Sequence, residues 1–259
     1  MNIAEEVRNI GEAFRDGLLA ILGSKLVGVY LYGAVAFPES AATGDIDYHV
    51  ILKGALTEDE RSALHAFHES LARRFPPLGA ELDGYYLLLN DACRETPPIS
   101  QMWNGAIDHS WALHRAHIRA GQRIILYGPD PNEIYPPAQW PEIERALFGE
   151  LDFVEKHLYD YPDYCILNLC RLMYSFETSD VVVSKAMAAE WAYDVLPLWR
   201  PYIDLARKSY AGQGTAQERE HMLAEIDGLL KFAQGHINVS LQARQGASYA
   251  EAQTRTAER

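Results

Sequence analysis

The apolar period of this chain changes once, at the proline cluster Pro136, Pro137 and Pro141, and that change restricts the fold more than any other feature. Ahead of the cluster, short apolar runs rich in β-branched and aromatic residues stand beside segments of helical spacing; behind it the spacing is helical as far as about Leu241. Proline cannot continue a helix and biases the residue before it toward extended backbone, so the cluster is a natural boundary. The pattern predicts an α+β chain. A mixed β-sheet with helices occupies residues 1–140, an α-helical bundle occupies 141–242, and 243–259 forms a small, polar tail expected to fray.

Within the first part, Met1 to Leu22 mixes charged and apolar residues and reads as an amphipathic helix, lacking the uninterrupted apolar core of a signal peptide. Lys25 to Tyr32 (KLVGVYLY) has the length and composition of a strand and ends at Gly33; Asp45 to Leu52 (DIDYHVIL) is a second strand. Thr57 and Glu60 have capping-box spacing at the head of a helix carrying Leu64, Phe67, Leu71 and Phe75, which Pro76-Pro77 stops. Ala80 to Leu89 is a third strand, Asp108 to Ala120 a His-rich helix, and Arg123 to Tyr127 a short strand before the Gly128-Pro129-Asp130-Pro131 turn. The second part predicts helices near 142–158, 163–178, 184–195, 199–211 and 216–240, the last with a possible capping box at Thr215 and Glu218.

Charge and cysteine usage narrow the function. The formal net charge of -13 argues against a nucleic-acid partner, which needs a basic surface, and favours a cationic small molecule. No run approaches the roughly 20 apolar residues that span a bilayer, so no membrane partner is expected. Cys93, Cys165 and Cys170 are odd in number and lack CxxC spacing, which points away from disulfides and zinc and toward the cytoplasm.

The chemistry-bearing residues cluster in the strand region. Asp45 and Asp47 lie two apart on a predicted strand, on one face, with Cα atoms about 7 Å apart. Hard oxygen ligands of this kind suit magnesium, which takes one or two carboxylates together with substrate phosphates. The loop beginning at Gly33 offers backbone amides to a phosphate, and a third acid, Asp83 or Glu81, follows on the next strand. Two metal-binding acids and one that takes a proton from a hydroxyl make up the equipment of nucleotidyl transfer. The bland alternative for Glu81 and Asp83 is a solvated strand face. His109, His114 and His117 have no carboxylate or cysteine at metal spacing and read as surface or cleft residues.

Leu31 to Leu52 (LYGAVAFPESAATGDIDYHVIL) resembles the nucleotidyltransferase signature of Leu-Tyr-Gly-Ser, a variable loop, Ser-Asp-Ile-Asp and an apolar strand. Leu169 to Pro197 (LCRLMYSFETSDVVVSKAMAAEWAYDVLP) is similar to the helical domain of streptomycin/spectinomycin adenylyltransferases, and Leu126 to Pro131 (LYGPDP) to the turn preceding it. The resemblance implies an N-terminal nucleotidyltransferase domain and transfer of AMP from ATP to a hydroxyl of an aminoglycoside. It makes Asp45 and Asp47 the magnesium ligands and Asp83 the base, with Glu81 as the alternative. Gly33 and Ala34 become nucleotide-loop residues, and Arg171 and Lys185 contacts from the helical domain to the nucleotide phosphates and to substrate. Without it, Arg171 is a salt-bridged core arginine and Lys185 a surface lysine. The chain departs from the pattern at Ala34 and Gly44, where the family has serine, and at Phe37 and Pro38, where a second glycine is missing. The acid that opens the family's central helix aligns with Tyr161, between Asp160 and Asp163; Trp103 and Trp111 are candidate aromatic contacts to an acceptor. These departures leave open a different acceptor, or a non-catalytic binding protein with a degraded phosphate loop.

Overall fold

Strand alternation decides how the first part of the chain is built, because the two central strands bury both of their faces against different partners. The computed structural model describes the backbone of residues 5–37 and 45–257, and the side chains of all of these except 245 and 247–257. The loop positions Pro38 and Gly44 lie outside the described residues. In chain order the elements are α1 (Glu5–Leu22), β1 (Leu26–Tyr32), β2 (Ile46–Leu52), α2 (Glu58–Arg74), β3 (Leu82–Leu88), α3 (Leu89–Ala92), α4 (Trp111–Arg119) and β4 (Ile124–Tyr127). They are followed by α5 (Trp140–His157), α6 (Pro162–Thr178), α7 (Lys185–Val195), α8 (Arg200–Tyr210) and α9 (Ala216–Ala257). The chain divides into two compact units, Met1–Gly149 and Glu150–Arg259. The α+β class read from the period change is the one observed, with a mixed sheet in the first unit and helices in the second.

The sheet has the order β3-β2-β1-β4; β1 runs antiparallel to β2 and β4, while β2 and β3 are parallel, joined through α2. On one face Val29, Leu31, Ile46, Tyr48, Val50, Leu52 and Tyr86 meet Phe14 and Leu18 of α1 and Leu64 and Leu71 of α2. The buried positions of α1, Val7, Ile10, Phe14, Leu18 and Leu22, recur every three or four residues, which is why that helix lies flat on the sheet. On the other face Tyr30, Tyr32, Ile51 and Leu87 pack with Trp111 and Ile118 of α4 and with Ile134 and Tyr135. The predicted capping box of α2 is formed: Glu60 N–H donates to Thr57 Oγ1 and Thr57 N–H to Glu60 Oε2, at 3.3 and 2.7 Å.

In the second unit α6 is buried on nearly every side, from Cys165 through Phe176, because α7, α8 and α9 all pack on it. α9 meets it with Met222, Ile226, Leu229, Ala233 and Ile237, again at helical spacing. Thr215 and Glu218 close the capping box that starts α9, and this helix continues to Ala257, taking in the segment from Ala243 onward that the sequence marks as a polar tail. Among the described residues no helix is long and apolar enough to cross a membrane.

Candidate active site

Strand register brings the sequence-predicted acids to one edge of the sheet. Tyr32, at the end of β1, is the partner of Asp47 in β2, and Asp47 is in turn the parallel partner of Asp83 in β3. Paired residues on neighbouring strands project to the same face, so Asp47 and Asp83 stand side by side on the face covered by α4. Asp45 immediately precedes β2 and is exposed. Asp83 is exposed at the rim, yet partial desolvation raises its carboxyl, and the neighbouring Asp45 raises it further, against the opposing influence of His114 and the Gly84 backbone. Glu81 is placed differently. It closes the turn before β3 with a non-extended backbone (ψ 12°), its side chain is exposed, and its carbonyl accepts from Ile46 N–H at 2.7 Å.

Gly33 leaves β1 with φ +68°, a left-handed conformation that side chains rarely adopt, and its Cα faces the Asp47 carboxylate with no room for a Cβ. Ala34 follows in a single 3-10 turn, its carbonyl accepting from Phe37 N–H at 3.1 Å. The glycine is therefore required for the approach of the strand end to Asp47.

Directly inward on the same face lies a polar cluster absent from the sequence reading. His49, two residues after Asp47, is fully buried; Asp108, just before α4, is fully buried; His114 projects from α4. Asp108 Oδ2 lies 2.9 Å from His114 Nδ1 and 3.4 Å from His49 Nε2, and Tyr32 Oη lies 3.2 Å from His114 Nδ1. Burial alone would raise the Asp108 carboxyl, but the two imidazoles outweigh it and hold the group below the usual carboxylate range. Burial lowers His49, partly offset by Asp108, and burial together with Asp108 and Asp47 pushes the Tyr32 phenol well above its ordinary value. This corrects the expectation that the histidines lack a carboxylate partner. His109 is exposed and His117 is buried against Phe37, but His114 has Asp108 within hydrogen-bond reach. The signal available in the sequence was the two-residue period of β2, which places His49 behind Asp47.

The aromatic candidates lie elsewhere. Trp111 is buried in the core and donates to Arg94 O at 2.9 Å, while Trp103 donates to Gly84 O at 3.0 Å and packs on His65 and His68, on the face opposite Asp47. In the second unit Arg171 pairs with Glu150 at 3.3 Å, and Asn168 donates to the same carboxylate. Lys185 begins α7 after the Ser184 cap; its ammonium sits 4.0 Å from the Tyr164 ring centroid and donates to Tyr210 Oη at 3.2 Å. Tyr161 is exposed, and Asp163 accepts from Ser209 Oγ at 2.7 Å. All three cysteines are free; burial pushes the Cys165 thiol up to about 11 and Cys170 up to about 12, leaving both unreactive at neutral pH.

The chain is similar to known proteins along most of its length. Residues 134–235 match the family described as "Aminoglycoside adenylyltransferase, C-terminal domain". A spectinomycin 9-adenylyltransferase of Staphylococcus aureus is 25% identical over 246 residues, covering 85% of this chain and 91% of that protein. One from Enterococcus faecalis is 20% identical over 251 residues, covering 88% and 95%. The crystal structure of an enterococcal spectinomycin adenyltransferase with ATP and spectinomycin superimposes with a TM-score of 0.73 at 16% identity, covering 92% of this chain and all of that one; it shares the fold.

Proposed function

We propose that this chain, whose residues 134–235 match the C-terminal domain of aminoglycoside adenylyltransferases, transfers AMP from ATP to a hydroxyl of an aminoglycoside antibiotic, releasing pyrophosphate. The observation that carries the reading is the register of Asp47 with Asp83, beside a glycine that admits no side chain. Two carboxylates at Asp45 and Asp47 form a hard-oxygen donor set of the kind magnesium accepts, and Gly33 keeps the approach to Asp47 open. Magnesium bound there would offset negative charge on the triphosphate and on the pyrophosphate that leaves.

The protein's own contribution is positioning and proton removal. Asp83 takes the proton from the acceptor hydroxyl, and its raised proton affinity, from partial desolvation and from Asp45, suits it to that task. The oxygen so activated attacks the α-phosphorus, the bond to pyrophosphate breaks, and the proton stays on Asp83. Fixing the hydroxyl in line with the leaving oxygen accounts for much of the acceleration expected of such a site. Arg171 and Lys185 are proposed as cationic contacts to the triphosphate, and Gly33 and Ala34 as its backbone neighbours. An excess of acidic over basic residues, 36 against 23, favours a cationic acceptor, and a cytoplasmic setting fits three free thiols.

The test is pyrophosphate release from MgATP by the purified full chain, with and without spectinomycin, streptomycin and other aminoglycosides. Acceptor-dependent release that disappears in a folded Asp47→Ala variant is expected. Release indifferent to every acceptor, or unchanged in the variant, overturns the reading.

A further inference from the structure

We propose that His49, Asp108 and His114 form a binding site for a divalent first-row transition metal, buried beneath the acidic rim and distinct from the Asp45–Asp47 pair. One ligand atom from each of the three lies within 4.8 Å of the other two. The separations are 3.4 Å from His49 Nε2 to Asp108 Oδ2, which matches what coordination requires, and 2.9 Å from His114 Nδ1 to the same oxygen, which must open slightly to admit an ion. Ligands bonded at roughly 2.0 to 2.2 Å around a tetrahedral ion stand about 3.4 Å apart. Two imidazoles and one carboxylate suit zinc and its neighbours, whereas magnesium and calcium prefer oxygen alone.

Hydrogen bonding within the cluster does not complete it. Among the described residues, His49 Nε2 and Asp108 Oδ1 are buried without a hydrogen-bond partner, Nε2 standing 3.4 Å from Asp108 Oδ2. A buried polar atom left unpaired is costly, and a metal ion held by Asp108 Oδ2 satisfies His49 Nε2. The opposite ring nitrogen of His49 is held by the Tyr135 hydroxyl at 3.3 Å, the outer contact that orients a metal-binding imidazole and leaves its other nitrogen facing inward. The ion-pair partners of Asp108 are these two imidazoles, so a cation placed between them neutralises a carboxylate that no lysine or arginine reaches within ion-pair distance among the described residues. Tyr32 Oη, 3.2 Å from His114 Nδ1, offers a fourth ligand atom beside the site, and the His114 side chain, 22% exposed, gives the ion a way in.

The experiment uses the untagged full chain, stripped with a chelator, supplied with zinc or cobalt(II) and desalted, with no nucleotide or acceptor present. Its outcome is thus independent of the transferase reading. Wild type and a protein carrying both Asp45→Asn and Asp47→Asn are expected to retain an equivalent of zinc, to show the visible absorption of low-coordinate cobalt, and to melt at higher temperature with zinc. His114→Gln and His49→Gln are expected to lose all three responses. Should His49→Gln fail to fold, the half-buried His114→Gln decides the matter. Wild type retaining no more zinc than His114→Gln, or a melting temperature unmoved by zinc, overturns the site and leaves the buried atoms to water.

Discussion

Gly33 and Asp47 are apposed so closely that a Cβ on the glycine would fall 2.7 Å from Asp47 Cγ and closer still to its Oδ2. The contact joins the end of β1 to the start of β2, where a φ of +68° already favours glycine. Gly33→Ala must therefore both strain the backbone and displace the carboxylate. The strain should lower stability by about 1–2 kcal/mol, and the misplaced Asp47 should cut adenylyl transfer by about tenfold or more. Denaturant unfolding and pyrophosphate release measure the two effects separately; wild-type turnover in the variant would show that Asp47 does not work from this position.

Asp83 and Glu81 lie two residues apart and are chemically equivalent in the sequence, but only Asp83 sits on β3 in register with Asp47. Asp83→Asn should reduce turnover by roughly 10²- to 10⁴-fold, the range of a general base. Glu81→Gln should leave it near wild type. Steady-state rates of the two variants decide, and the reverse ranking would move the base to the turn before the strand.

The acids at the sheet edge were legible because they depend on local order: a strand of period two, a glycine before it and a parallel neighbour reached through a capped helix. Strand ends were read to within one or two residues for the same reason, since Gly33 and Pro76-Pro77 punctuate the chain where the elements stop. The His49, Asp108 and His114 cluster was not legible. Its members come from β2, a loop and α4, and only the packing of α4 on the sheet brings them together. Trp103 and Trp111 looked alike as candidate acceptor contacts, whereas packing sends them to opposite faces of one sheet.

His68 carries a pH dependence with a defined sign. Burial between α2 and the sheet, assisted by His65, lowers its pKa to about 4, and its Nε2 lies 2.8 Å from the Tyr86 hydroxyl. In the unfolded chain the group titrates near 6.5. Between those values the unfolded chain takes up a proton that the folded chain does not, so stability falls as pH drops from about 6.5 to about 4 and this contribution levels off below. The loss should reach at most about 3 kcal/mol. His68→Gln keeps a polar partner for Tyr86 but does not titrate; urea midpoints followed from neutral pH downward should therefore fall less steeply in the variant. Parallel curves would mean that His68 is protonated in the folded protein.

Arg115 tests whether α4 is held by charge as well as by packing. Its side chain is fully buried, its guanidinium lies 5.4 Å from the Trp111 ring centroid, and it donates to Pro136 O at 3.1 Å while pairing with Glu142 at the start of α5. Removing one partner of a buried pair strands the other charge in a low-dielectric site, a loss of about 3–5 kcal/mol, whereas removing both can be nearly neutral. Glu142→Ala should therefore destabilise more than Arg115→Met combined with Glu142→Gln, in which methionine keeps part of the arginine stem's volume. Because α4 also carries His114 and Trp111, the single variant should loosen the face behind Asp47 and Asp83, lowering turnover along with the unfolding midpoint. The double variant should recover both. A double variant no more stable than Glu142→Ala would show that packing of the arginine stem on Trp111, and not its charge, fixes the helix.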